Sequence, residues 1–168
     1  MALTFILGGA RSGKSRRAQK LAEEAGADLI FIATAQPFDD EMRARIARHQ
    51  DDRDSRWRTV EAPIELPAAI RRYGNPGKVL LIDCLTLWTS NILLAEMDSS
   101  AACDELVAAL AEVSCPVYVV SNEVGLGIVP DNLLARQFRD VAGLLHQRVA
   151  EAADCVEWMV AGLSLQMK

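Results

Sequence analysis

Short apolar runs punctuate the chain. Leu3–Leu7, Leu29–Ala33, Val79–Ile82 and Val117–Val120 are short, apolar and bounded by polar or turn residues, and Val156–Val160 reads as a last strand. Runs of this length fit strands buried on both faces, as in a parallel sheet. Between them, apolar positions recur at helical spacing. Ser15–Ala25 stops at Gly26, and Leu66–Tyr73 stops at Gly74 with Pro76 beyond, both recognisable helix ends. Asp40–His49 is polar on most sides. Ser100–Val113 opens on a serine cap and early acids, which suit a helix start. Leu134, Phe138, Val141, Leu145 and Val149 recur at three and four residues, marking a long amphipathic helix. Strands alternating with helices predict right-handed crossovers and an α/β fold, a doubly wound, mostly parallel sheet flanked by helices. No repeat or long linker divides residues 1–168, so they read as one domain.

Composition narrows the class. The 168 residues are 51% hydrophobic, enough for a substantial core without disulfide staples. A net charge of −5 argues against a general nucleic-acid binder, which would show a basic field. No apolar run approaches the ~20 residues of a membrane span. Ala2–Leu7 is too short for a signal-peptide core and has no basic residue ahead of it, so a cytoplasmic protein is expected. Cys84, Cys103, Cys115 and Cys155 form no C-x-x-C pair and read as four reduced thiols.

The sharpest chemical signal is Gly8-Gly9-Ala10-Arg11-Ser12-Gly13-Lys14-Ser15. It has the spacing of a phosphate loop, with an apolar strand before it and a helix after it. The glycines allow a turn whose N–H groups converge on phosphate oxygens, and the helix N-terminus adds its dipole. Lys14 would meet the outer phosphates, and Ser15 would offer a hydroxyl to Mg2+. Asp83 ends the run Val79–Ile82. It reads either as a magnesium-side acid opposite Ser15 or as a strand-end turn acid or cap for a helix at Leu85. Thr34 and Ser121-Asn122-Glu123 follow other strands, so four polar features share the carboxyl edge where open α/β sheets bind ligands. The segment Asn122–Pro130 reads either as a shaped loop over that edge or as a plain connection. Between the second and third of these runs, Asp39–Arg58 holds six acidic and six basic residues, a solvated segment able to overhang the site. His49 lies on one helical stripe with Met42 and Ile46, four residues after Arg45. A neutral imidazole is a competent nucleophile toward phosphorus, but a lone helical histidine is more often a packing or surface residue. His146, on the long helix, reads as a packing or surface residue. On these residues alone, a single-activity small-molecule kinase and a nucleotide-binding regulatory module both stay open.

Several blocks then converge in order along nearly the whole chain: FILGGARSGKS, IATAQPFDDEMRARIARHQ, WRTVEAP, LIDCLTLWTSN, SNEVGLGIVPDNLLARQFRDVAG and VEWMVAGLSLQMK. Together they resemble the bifunctional adenosylcobinamide kinase/adenosylcobinamide-phosphate guanylyltransferase family of cobalamin biosynthesis. The resemblance implies a P-loop NTPase-like fold and two reactions: phosphorylation of adenosylcobinamide by ATP or GTP, then transfer of GMP from GTP through a guanylylated histidine. By resemblance the nucleophile falls on His49. Nucleotide contacts fall on Gly8–Ser15, on Ala33, Thr34 and Ala35, on Gln50, Asp51, Asp52 and Arg53, and on Glu61 and Asp83. A homotrimer is likewise implied. The chain carries His146 where relatives often carry asparagine, and the Asp83 position varies between Asp and Glu in the family. No N-K-x-D guanine motif is present. The Asp39–Arg58 segment is expected to move between a kinase pose and a guanylylation pose.

Overall fold

A computed structural model describes residues 2–36 and 54–168. Seven strands among them form one sheet: β1 (Leu3–Gly8), β2 (Asp28–Ala33), β3 (Trp57–Glu61), β4 (Lys78–Asp83), β5 (Val117–Asn122), β6 (Cys155–Val160) and β7 (Leu163–Gln166). The order across the sheet is β3-β2-β4-β5-β1-β6-β7. All neighbouring pairs are parallel except β6–β7. The helices described are α1 (Lys14–Ala25), α2 (Leu66–Tyr73), α3 (Leu85–Leu94), α4 (Ser99–Glu112) and α5 (Leu133–Ala152).

The apolar runs of the central strands bury both faces. On one face Ile6, Leu29, Phe31, Val79, Leu81, Tyr118 and Val120 pack with Ala18 and Ala22 of α1. On the other, Phe5, Ile30, Ile32, Leu80, Ile82, Val117 and Val119 pack with α2, α3, α4 and α5. Each fully buried aliphatic or aromatic side chain contributes about 1.5–3 kcal/mol of transfer free energy. Trp88, 1% exposed, also finds a polar partner: its indole N–H donates to the Ile64 carbonyl at 2.9 Å.

Two strands lie beyond the apolar-run pattern. β3 is an edge strand whose Arg58, Thr59 and Glu61 are exposed, so it has no continuous apolar run. β7 is a short exposed edge strand paired back onto β6. Its turn is Ala161-Gly162, at φ 51° and 82°, the left-handed pair that matches strand twist in a tight hairpin. The expected serine cap also gives way. α4 begins at Ser99, and Asp98 caps it by accepting from the Ser100 and Ala101 N–H groups. A carboxylate there also complements the helix dipole. The expected Asp40–His49 helix lies outside the described residues.

Candidate active site

The phosphate loop starts at the last residue of β1. A Cβ on Gly8 would sit 2.6 Å from the Met159 carbonyl oxygen and 2.7 Å from the Ser12 hydroxyl. The loop therefore needs a glycine here to nest against β6. Arg11 and Gly13 take left-handed φ values of 54° and 94°, turning the chain into the helix start. The β6–β7 turn braces this loop from outside. Gly162 N–H donates to the Ser12 carbonyl at 2.9 Å. A Cβ on Gly13 would come within 3.3 Å of Gly162 Cα. Below the loop, Arg17 Nε and Nη2 donate to the two Glu157 oxygens at 2.8 and 2.7 Å, tying α1 to β6. Lys14, 7% exposed, directs its ammonium into the loop and donates to the Gly9 carbonyl at 2.9 Å. Ser15 follows it in the first turn of α1.

Sheet register then sets a row of residues beside the loop. Ala33 pairs with Glu61 on one side and with Asp83 on the other. Asp83 pairs with Val120, and Asn122 pairs with Gly8. Side chains alternate along a strand, so Ala33 and Asp83 fall on the same face as Phe31 and Leu81, the α1 face. Glu61 shares that face with Trp57, which packs against the same cluster. The structure thus brings Gly8, Gly9, Ala10, Arg11, Ser12, Gly13, Lys14, Ser15, Ala33, Glu61 and Asp83 to one carboxyl edge, with Ala35 just past it. Asp83 does not cap α3: the N-cap is Cys84, and no side chain bonds there.

Thr34 belongs to the scaffold of this edge. It is fully buried. Its hydroxyl donates to the Cys84 carbonyl at 2.7 Å and accepts from Cys84 N–H at 2.8 Å. Its N–H donates to the Asp83 carbonyl, and its carbonyl accepts from Asn91 Nδ2. With these polar atoms bonded inward, Thr34 fixes where Asp83 sits rather than presenting its hydroxyl to a ligand. His49, Gln50, Asp51, Asp52 and Arg53 lie outside the described residues.

His146 has a packing role, as expected, with a polar purpose that periodicity does not reveal. Its ring lies 5.7 Å from that of Phe5, and Nε2 is 2.7 Å from the Ser121 hydroxyl. Ser121 lies 3.0 Å from the Thr86 hydroxyl, which accepts from Asn122 N–H at 2.6 Å. This chain ties α5, β5 and the start of α3 together. Burial pushes the imidazole down to about 4, against an opposing pull from Glu123. Folded His146 is therefore neutral while the unfolded residue titrates near 6.5. As pH falls from that value toward 4, the unfolded state takes up a proton that the fold refuses, and stability declines. We expect the wild-type protein to lose about 2 kcal/mol more than His146→Gln between pH 7.5 and pH 5. Denaturant unfolding at the two pH values checks this; equal losses would remove His146 as the cause.

All four cysteines are free thiols. Burial, with Asp83 nearby, pushes Cys84 up to about 11, which keeps it an inert thiol beside the site.

Over residues 4–167 the sequence matches the family described as Cobinamide kinase / cobinamide phosphate guanyltransferase. The chain belongs to that family. It is therefore a bifunctional kinase and guanylyltransferase of adenosylcobalamin biosynthesis. It is 47% identical to bifunctional adenosylcobalamin biosynthesis protein CobP of Pseudomonas aeruginosa, covering 98% of this chain and 96% of that relative. It is 41% identical to CobU of Salmonella typhimurium, covering 99% of both. The fold also resembles the crystal structure of the RadB recombinase, with TM-score 0.50, 15% identity, and coverage of 94% of this chain and 73% of that one. Among the described residues no helix is long and apolar enough to cross a membrane.

Proposed function

We propose that the one phosphate loop, Gly8–Ser15, holds the nucleotide for both reactions. The observation that carries this reading is the shared edge: the loop, Ala33, Glu61 and Asp83 fall on one face at one end of the sheet. In the kinase step, the hydroxyl oxygen of the aminopropanol arm of adenosylcobinamide bonds to the γ-phosphorus of ATP or GTP. The bond to the β–γ bridging oxygen breaks and the nucleoside diphosphate leaves. In the second step, a His49 ring nitrogen attacks the α-phosphorus of GTP and pyrophosphate departs. The phosphate of the first product then displaces His49 and takes the GMP. The loop's N–H groups and Lys14 hold the triphosphate, while the chemistry moves from the γ- to the α-phosphorus. A covalent intermediate lets the nucleotide and the bulky corrinoid use the edge in turn.

The donor set suits magnesium. Ser15 hydroxyl and Asp83 carboxylate are hard oxygens on this edge, as Mg2+ prefers. Among the described residues no group of three or more His, Cys, Asp or Glu could cage a metal, which fits an ion held largely by phosphates and water. Bound there, Mg2+ would neutralise phosphate charge. Gln50–Arg53, next to His49, would complete the guanosine contacts by resemblance. A homotrimer is also proposed by resemblance; exposed Leu126, Ile128, Val129 and Leu133 beside the rim support association of copies around a large acceptor.

Equilibrium binding tests the single loop. A non-hydrolysable GTP analogue is expected to saturate at one per chain and to be displaced competitively by the ATP analogue. Two independent sites per chain would contradict the proposal.

A further inference from the structure

Ser121 and Asn122 end β5, and Glu123 follows them; this strand lies between the phosphate-loop strand β1 and the Asp83 strand β4. The functions of two of these polar side chains are local. Ser121 faces α5 and α3 through His146 and Thr86. Both Glu123 oxygens accept from the loop that follows, one from Gly125 N–H and the other from Leu126 N–H at 3.2 Å. Asn122 differs. Its backbone N–H is held by Thr86, while its carboxamide makes no hydrogen bond with another described residue. Tyr118 and Val120 pack with α1, so alternation puts Asn122 on that face too, two residues beyond the Asp83 register and directly opposite Gly8. The next residue's N–H is bonded to the Gly8 carbonyl at 3.0 Å. The strand end is therefore pinned from both sides, to the phosphate loop and to the start of α3, with the Asn122 side chain on the α1 face beside Gly8.

We propose that Asn122 is a catalytic residue of the kinase step, its carboxamide N–H donating to a γ-phosphoryl oxygen. The proposal rests on the phosphate-loop reading above. The step balances as an ordinary phosphoryl transfer. The acceptor oxygen bonds to γ-phosphorus, the β–γ bridging oxygen keeps the electron pair of the broken bond, and the hydroxyl proton goes to solvent. Asn122 gains and loses no proton. It holds the phosphorus in line and stabilises charge on the oxygens as the group passes. Ser121, Thr86 and His146 are positioning residues, because they fix the strand end without touching the nucleotide. The geometry also assigns a division of labour. A donor aimed at the γ-phosphoryl group aids transfer of that group, whereas attack on the α-phosphorus expels β and γ together and needs it far less.

The experiment compares Asn122→Ala, Asn122→Ser and wild type in two assays: kinase turnover with adenosylcobinamide, and protein labelling by GTP carrying label at the α-phosphorus. We expect kcat of the kinase to fall about a hundredfold in both variants. KM for the nucleotide and the labelling rate should each stay within about threefold. His146→Leu should lower kinase kcat, and His146→Gln should recover most of it by presenting an amide near the Nε2 position. Unchanged kinase turnover in Asn122→Ala would overturn the proposal. So would equal loss of both activities, or a rise in KM alone. If Asn122→Ala unfolds, the smaller Asn122→Ser change decides by the same criteria. Normal nucleotide affinity and turnover in Lys14→Ala would instead defeat the underlying phosphate-loop reading, so the two failures are distinguishable.

Discussion

Lys14→Ala is expected to lose both reactions together, each by about a hundredfold to a thousandfold, the loss expected for removing a preorganised donor to developing phosphate charge. Lys14 opens α1 and is almost wholly buried, with its ammonium bonded to the Gly9 carbonyl inside the loop. That placement keeps the charge poised where a triphosphate would lie, at the positive end of the helix. Kinase transfer needs the β- and γ-phosphates held, and guanylylation needs pyrophosphate stabilised as it leaves. One cation on the outer phosphates serves both. Steady-state kinase rates and initial rates of GMP labelling measure the effect, with thermal unfolding as the check that the fold persists. Loss of one activity with the other at wild-type level would show that the loop serves only one reaction.

His49→Ala is expected to separate the two reactions. Covalent GMP should vanish, because the attacking nitrogen of the proposed scheme is gone. Kinase turnover should stay within about threefold of wild type, since γ-transfer does not use the imidazole. His146 is a poor substitute nucleophile. It is largely buried, its Nε2 is engaged by Ser121, and it sits on the far face of β5 from the phosphate loop. Quantitative labelling beside a kinase assay measures the split. A parallel collapse of both activities would contradict the division of labour.

The central strands were legible because both their faces are buried, which writes a continuous apolar run into the sequence. The phosphate loop was legible because its backbone needs glycine at fixed places. Gly8 meets a carbonyl oxygen and Gly13 has a left-handed φ. Edge strands leave no such trace: β3 carries exposed Arg58, Thr59 and Glu61 with one side open, and β7 is exposed throughout. β7 was nonetheless signalled by Ala161-Gly162 followed by Leu-Ser-Leu-Gln, a turn pair and an alternating run. Thr34 shows the opposite difficulty. A threonine after a strand reads as a rim residue, and only coordinates reveal its hydroxyl turned inward onto Cys84. Similarly, nothing periodic links His146 to Ser121, which are 25 positions apart. The role proposed for His49 rests on a family resemblance, since one histidine on an expected helical stripe has no catalytic pattern of its own.

The most direct test is incubation with GTP labelled at the α-phosphorus, followed by peptide mapping. The account predicts stoichiometric, acid-labile GMP on the peptide containing His49, dependent on Lys14 and chased into product by phosphorylated adenosylcobinamide. Label on another residue, or none while both reactions proceed, would contradict it.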